Sequence, residues 1–253
     1  MSFIPRLFLP PISPDQKEIL LDELASRYLV KVLRLAEGSK FFGFDNQGFQ
    51  YDLTLKNTGS HSVTASVLLR KPIDTGISQG VLVLAQGLPK ASKMDLILRQ
   101  GTEVGLDRFI PLVTRRSISR PDVSQHEHKN ERWQKILVEA CRQCGRNDLP
   151  RLDPVTSWND LLGSFQEFDL VLLPYEKEAP TLASVLESRN HAGKILILIG
   201  PEGGWSTEEV REAEEKGALP VHLPTPILRT ETAGVAVAAM LQFFKSHTSG
   251  NAE

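Results

Sequence analysis

The sequence predicts an α/β fold with a parallel sheet, preceded by a smaller β-rich module. Three observations carry that expectation. Val81–Ala85, Leu170–Leu173 and Ile195–Ile199 are bare apolar runs, as strands covered on both faces should be. Stretches of helical periodicity alternate with them, which implies helices packed over a parallel sheet. Residues 1–72 instead show short segments that alternate apolar and polar residues between turn signals.

In chain order, Tyr28–Leu35 has helical spacing, with Tyr28, Leu29, Val32 and Leu33 on one face and Arg27, Lys31 and Arg34 on another. Glu37-Gly38-Ser39 turns the chain. Lys40–Asp45 reads as a strand and Asp45-Asn46-Gln47-Gly48 as a turn. Phe49–Leu55 and Ser62–Leu69 alternate as half-buried strands, and such a set suggests a small barrel. Lys71–Gly80 is polar, carries one proline and two glycines, and has no periodicity. The expected organisation is therefore a module at 1–72, a linker at 73–80 and a second domain at 81–253. Beyond Val81 the expected order is helix Lys93–Glu103, strand Arg108–Leu112 and helix Asn130–Cys144. The two apolar strands follow, then helix Thr207–Lys216, strand Pro220–Leu223 and helix Thr232–Lys245. Met94, Ile97 and Leu98 mark the core face of the first helix, and Trp133, Ile136, Leu137 and Ala140 that of the second.

At 253 residues, 41% hydrophobic and 24% charged, the chain suits one large or two modest globular domains and not a disordered one. Two cysteines supply neither a disulfide framework nor a four-cysteine zinc site. Its longest apolar runs fall far short of the ~20 residues of a membrane span. Met1–Arg6 shows no basic region leading into an apolar one, so a cytoplasmic protein without a signal peptide is expected. Charge is unevenly spread. The first 151 residues hold 22 Lys and Arg against 16 Asp and Glu, the last 102 hold 7 against 15. That asymmetry fits a polyanionic partner for the basic part, or merely solvated faces of opposite sign.

Two loops carry the chemistry. The first is Ile199-Gly200-Pro201-Glu202-Gly203-Gly204-Trp205-Ser206, where a buried strand ends at a glycine-rich turn. Ser206 with Glu209 three residues on has capping-box spacing. Ligands of open α/β sheets bind at the carboxyl ends of strands. A tight turn with no ligand explains the glycines equally well. The run is neither a dinucleotide fingerprint nor a P-loop, and Glu202 would oppose a pyrophosphate, so an uncharged or cationic small ligand fits better. The second loop is Leu223-Pro224-Thr225-Pro226-Ile227-Leu228-Arg229-Thr230-Glu231, which opens the last helix. Thr230 or Thr232 would cap that helix, with Glu231 near its positive end. The helix is small on nearly all sides, as buried, closely packed helices are, within a domain or between subunits.

Together, IGPEGGWS and ILRTETA resemble the SPOUT class of RNA methyltransferases, and more narrowly the family that methylates N3 of a uridine in 16S ribosomal RNA. The resemblance covers nearly the whole chain. PRLF (Pro5–Phe8) and YLVKVLRLAEG (Tyr28–Gly38) are similar to that family's RNA-binding, PUA-like barrel. KMDLILRQGTEVGLDRFIPLVTRRS (Lys93–Ser117) and RWQKILVEACRQCGRNDLP (Arg132–Pro150) are similar to its linking strand and helices.

The resemblance implies a trefoil knot in the parallel-sheet domain, a homodimer, and S-adenosylmethionine held by three strand ends. The implied cofactor residues are Leu173 and Pro174; Ile199, Gly200, Pro201, Gly203 and Gly204; and Leu223, Ile227 and Leu228. Two departures stand out. The family usually shows Gly-Pro-Arg where this chain has Pro224-Thr225-Pro226, so residue 224 has no N–H to donate. Arg142 stands where an acidic residue is common.

Methylating uracil N3 requires loss of its proton and stabilisation of the anion. Arg229 is the expected anion stabiliser, with Glu202 or Glu231 to position the cofactor or take a proton. Arg6, Arg34, Lys93, Arg115, Arg116 and Arg146 are the candidates for gripping 16S rRNA within the small subunit, although each taken singly reads more simply as a solvated charge. No metal is expected: His126-Glu127-His128 lacks a nearby third ligand, and Cys141-x-x-Cys144 reads as part of a helix. Trp205, Phe3 and Phe8 read more simply as packing than as contacts to a ligand or bases. A catalytically silent RNA-binding or ribosome-assembly factor on the same scaffold is the alternative function, and an enzyme taking another nucleotide is a third.

Overall fold

The computed structural model describes residues 4–59, 62–73, 80–117, 123–189 and 193–248, and for 123–128 the backbone alone. Phe3, most of the expected linker and the side chains of His126, Glu127 and His128 lie outside the described residues. The chain forms two compact units, Met1–Gly76 with Cys141–Leu149, and Ile77–Ala140 with Pro150–Glu253.

The first unit holds β1 (Arg6–Phe8), β2 (Glu18–Leu20), α1 (Glu23–Ser26), a π-helical turn (Arg27–Val32), β3 (Lys40–Phe44), β4 (Phe49–Thr58) and β5 (Val63–Pro72). They make a five-stranded sheet in the order β1-β3-β4-β5-β2, parallel only between β1 and β3. The alternation in β4 buries Tyr51, Leu53 and Leu55 against Leu7, Leu29 and Phe41. Asp45 builds the β3–β4 turn by accepting from the N–H groups of Gln47 and Phe49 (2.8 and 3.2 Å) and from the Tyr51 hydroxyl (2.5 Å).

Two expectations need correction here. The helical face over Tyr28–Leu35 is broken, because the chain winds as i→i+5, with Leu33 N–H donating to Tyr28 O. The wider turn buries Leu29 but leaves Val32 62% exposed. Residues 141–149, expected in the second domain, cluster with the first unit instead. Arg142 lies 3.7 Å over the Tyr28 ring and donates to Arg6 O (2.9 Å), and Leu149 N–H donates to the Asn46 side chain (2.6 Å).

The second unit runs β6 (Val81–Gly87), α2 (Lys93–Glu103), β7 (Arg108–Val113), α3 (Val123–Cys144, as far as Ala140), β8 (Arg151–Leu152), β9 (Thr156–Ser157), α4 (Trp158–Gly163), β10 (Leu170–Pro174), α5 (Leu182–Ser188), β11 (Lys194–Ile199), α6 (Thr207–Glu215), β12 (Leu219–Val221) and α7 (Thr230–Thr248). Its sheet has the order β12-β10-β11-β6-β7-β8, with β9 also on β7, and every pairing is parallel. Val83, Leu173, Leu196 and Leu198 meet Trp158, Phe165 and Trp205 in one core cluster, so Trp205 packs. α7 is not buried all round. Gly234, Val237 and Ala238 face inward, and a Cβ on Gly234 would sit 3.0 Å from Leu84, whereas Ala239 and Phe243 are exposed. Among the described residues no helix is long and apolar enough to cross a membrane.

Candidate functional site

Parallel strands open their carboxyl ends on one edge, and a reversal of strand order leaves a crevice there. The reversal falls between β6 and β11. The β11 loop is held from many sides. Gly204, at φ +66°, closes a tight turn by donating to Pro201 O (2.9 Å). The capping box forms, with Ser206 N–H donating to Glu209 (2.9 Å) and Glu209 N–H to Ser206 Oγ (3.2 Å). Glu209 is fully buried and also takes the Arg115 N–H (2.8 Å).

A second network lies deeper. Gln86, fully buried in β6, donates to Thr230 Oγ1 (2.9 Å), and Thr230 donates to Gly200 O (2.6 Å). The Thr230 hydroxyl, expected to cap α7, is thus engaged by the loop and the sheet. A Cβ on Gly87 would come within 2.7 Å of Pro201, so β6 and this loop touch backbone to ring. Gln86 escaped the sequence reading because it sits inside an apolar strand with no motif around it.

Above this layer, Lys93 lies 3.0 Å from both Glu202 and Glu231, and Lys90 N–H donates to both Glu202 oxygens (3.1 and 3.3 Å). Burial works against ionised Glu202, but its own backbone N–H, Lys93 and Lys90 outweigh that and hold its carboxyl below the usual value. Glu231 is lowered by its own backbone N–H and, against some burial, by Lys93 and Arg229. The Lys93 ammonium donates to both carboxylates, Glu202 first, and this raises its pKa. Two carboxylates so stabilised are weak proton acceptors.

The β12–α7 loop is held loosely. Thr225 N–H donates to Leu223 O (2.8 Å), a three-residue turn centred on Pro224. Proline's locked φ suits that centre, so the departure at 224 has a local structural role. Ile227 is 87% exposed, and the Arg229 side chain is exposed with no hydrogen bond or ion pair among the described residues. Between this loop and the end of β10 opens a cleft of about 140 Å³, lined by Pro174, Tyr175, Glu176, His222, Leu223, Thr225, Pro226, Ile227, Leu228 and Ala233.

Of the expected cofactor residues, Pro174, Leu223, Ile227 and Leu228 line this cleft. Leu173 and Ile199 turn their side chains into the core and offer only backbone. Gly200, Pro201, Gly203 and Gly204 form the β11 loop and are not among the cleft-lining residues. Tyr175, Glu176, His222 and Ala233 were missed, since nothing local marks them.

The basic candidates divide. Arg115 is ion-paired with Glu208 and with Glu212 (2.9 Å), and Arg116 donates to Gly203 O (2.7 Å). Lys93 is the carboxylate bridge above. Arg6 donates to Arg146 O (3.1 Å) and to Asn147, with burial lowering its pKa, and Arg146 pairs with Asp148 (2.6 Å). Arg34 alone of the six is exposed with no side-chain partner among the described residues. Among the described residues no cluster of three metal-ligating side chains occurs.

A parallel α/β unit with a strand-end cleft of this kind belongs to a definable class. Residues 78–242 match the RNA methyltransferase domain family, and the chain belongs to that family. It is 32% identical to ribosomal RNA small subunit methyltransferase E of Bacillus subtilis, over 85% of this chain and 86% of that protein. The protein of the same name from Synechocystis sp. is 32% identical over 93% of this chain and 76% of its own length. The crystal structure of ribosomal RNA small subunit methyltransferase E from Neisseria gonorrhoeae, bound to S-adenosyl methionine, superposes with a TM-score of 0.86 at 28% identity, covering 95% of this chain and 98% of that one.

The cleft suits such a cofactor. Leu223, Pro226 and Leu228 give it apolar wall, and Glu176 a carboxylate. The Thr225 hydroxyl is buried without a partner among the described residues, an acceptor and donor left for a ligand.

Proposed function

We propose that this protein transfers a methyl group from S-adenosylmethionine to N3 of a uridine in small-subunit ribosomal RNA. The observation that carries this reading is the strand-end cleft beside an exposed Arg229, which has no hydrogen bond or ion pair among the described residues, in a chain of the RNA methyltransferase family. The bound cofactor supplies an electrophilic methyl on a sulfonium. The transfer would form an N3–carbon bond and break the sulfur–carbon bond, with the N3 proton leaving to water. Arg229 holds the uracil anion as that proton leaves, a stabilisation strongest where water is excluded. Glu202 and Glu231, kept ionised by Lys93, position the loops instead of taking the proton.

In the same reading the first unit is a PUA-like barrel that grips RNA, and Arg34 is its best-supported cation. Phosphate contacts position RNA while base contacts specify it, and the target uracil leaves its stack to reach the cleft. The strand-end loops form a trefoil knot, a rare topology, and the exposed face of α7 pairs two subunits in the bacterial cytoplasm. The test is methyl transfer from labelled S-adenosylmethionine to small ribosomal subunits lacking the modification, with nucleoside analysis. Label in N3-methyluridine is expected. Label in any other nucleoside overturns the uridine assignment, and no label with intact cofactor binding overturns the substrate.

A further inference from the structure

We propose that the Thr225 hydroxyl is a direct hydrogen-bonding contact to the cofactor, a contact this chain builds from its own sequence. The inference rests on the cofactor reading of the cleft and adds a named ligand group to it. The argument is a count of donors. Pro224 and Pro226 have no N–H, and the Thr225 N–H is engaged by Leu223 O at 2.8 Å. Residues 224–226 therefore offer a ligand no backbone donor. Their one remaining donor is Thr225 Oγ1. That oxygen is buried, has no partner among the described residues and belongs to a residue lining the cleft.

A buried hydroxyl without a partner is costly in the free protein, and groups left this way in native structures have an explanation, most simply a ligand or an ordered water. The surroundings favour the ligand. The neighbouring wall is apolar, with Leu223, Pro226, Ile227 and Leu228 around the same space. Water binding needs two to four polar partners. A nucleoside presents ribose hydroxyls and ring nitrogens that accept from or donate to one oxygen set in this apolar stretch of wall. The β-branched side chain is stiff at χ1, so the hydroxyl is held in place before binding.

This geometry makes the free protein and the complex respond oppositely to one change. Thr225→Val keeps the shape and removes the hydroxyl. In the full-length protein its melting temperature without ligand is expected to stay level or rise, since an unsatisfied group is lost. Its dissociation constant for S-adenosylhomocysteine, by titration calorimetry, is expected to rise about tenfold, the usual scale of one buried hydrogen bond. The KM for S-adenosylmethionine rises with it, while the KM for RNA does not. Thr225→Ser, which restores the hydroxyl, returns affinity to within about threefold of the parent.

A Thr225→Val protein that binds S-adenosylhomocysteine like the parent would overturn the proposal and assign the hydroxyl to water. So would a fall in the ligand-free melting temperature with equal loss of cofactor and RNA affinity, because that is a structural role. A parent protein that binds no S-adenosylhomocysteine sinks the cofactor reading itself, a result distinct from either.

Discussion

The two loops at the carboxyl edge of the parallel sheet occupy equivalent places but are held very differently. The β11 loop is tied by a tight turn at Gly204, a capping box at Ser206 and Glu209, the Gln86–Thr230–Gly200 network and the Lys93 bridge. The β12–α7 loop shows one internal backbone bond, an Ile227 in solvent and an Arg229 with no hydrogen bond or ion pair among the described residues. One loop is a preformed wall. The other carries the groups still free to bind, Thr225 and Arg229. Anchoring and chemistry are divided between them, and a group can serve a ligand only if the fold has not already engaged it.

That contrast can be broken by substitution. The largest effect is expected at Arg229. Arg229→Ala should lower kcat by about 10²-fold, the scale of losing one preorganised stabiliser of developing charge, with affinity for S-adenosylhomocysteine and melting temperature little changed. Steady-state kinetics with parallel calorimetry checks this, and full turnover would remove Arg229 from the chemistry.

Next comes the anchored loop. Glu209→Ala removes half of the capping box and leaves the half-buried Arg115 N–H without its acceptor. A cost of about 2 kcal/mol is expected, seen as a melting temperature lower by roughly 4–8 °C for a unit of this size. An unchanged melt would mean that the loop is not held as described.

The Lys93 bridge sharpens the comparison through pH. Glu202 and Glu231 have lowered folded pKa values, so their contribution is complete above the unfolded value of about 4.3 and is lost as pH falls through the folded values. Lys93 is raised, so its contribution holds below about 10.4 and is lost as pH rises through its folded value. The gap in melting temperature between the parent and Lys93→Met is therefore widest from about pH 5 to 10 and closes in acid. A gap that does not vary with pH would deny the bridge its electrostatic role.

The smallest effect belongs to Ile227. A side chain 87% exposed contributes little to folding, so Ile227→Ala should shift stability by less than about 0.5 kcal/mol. A thermal melt tests this, and a larger loss would show that the mobile-looking loop packs more than its exposure indicates.

Much of the scaffold was legible because its causes are local. The runs at 81–85, 170–173 and 195–199 are parallel strands, buried except for Val81, and α2 occupies Lys93–Glu103 as its spacing required. Ser206 and Glu209 are three residues apart, so their capping box could be read directly. The two-residue strands β8 and β9 were not legible, since pairing with β7 and not their own pattern makes them strands. The π-helical turn escaped for a similar reason: nothing in the sequence of its six residues distinguishes i→i+5 winding from an α-helix.

The candidate site divides along the same line. The chain order of residues by itself determined the strand-end loops, the glycine turn, the capping box and the two prolines that deny backbone donors at 224 and 226. Only the tertiary structure decided which polar groups are already engaged. Arg6 meets Arg146 and Asn147, Lys93 meets Glu202 and Glu231, and Gln86 meets Thr230 across 144 positions of sequence. A periodic pattern reports what a residue's neighbours along the chain demand of it. Whether a cation or a hydroxyl remains available to a ligand depends on partners brought in by folding, and those contacts leave no local mark.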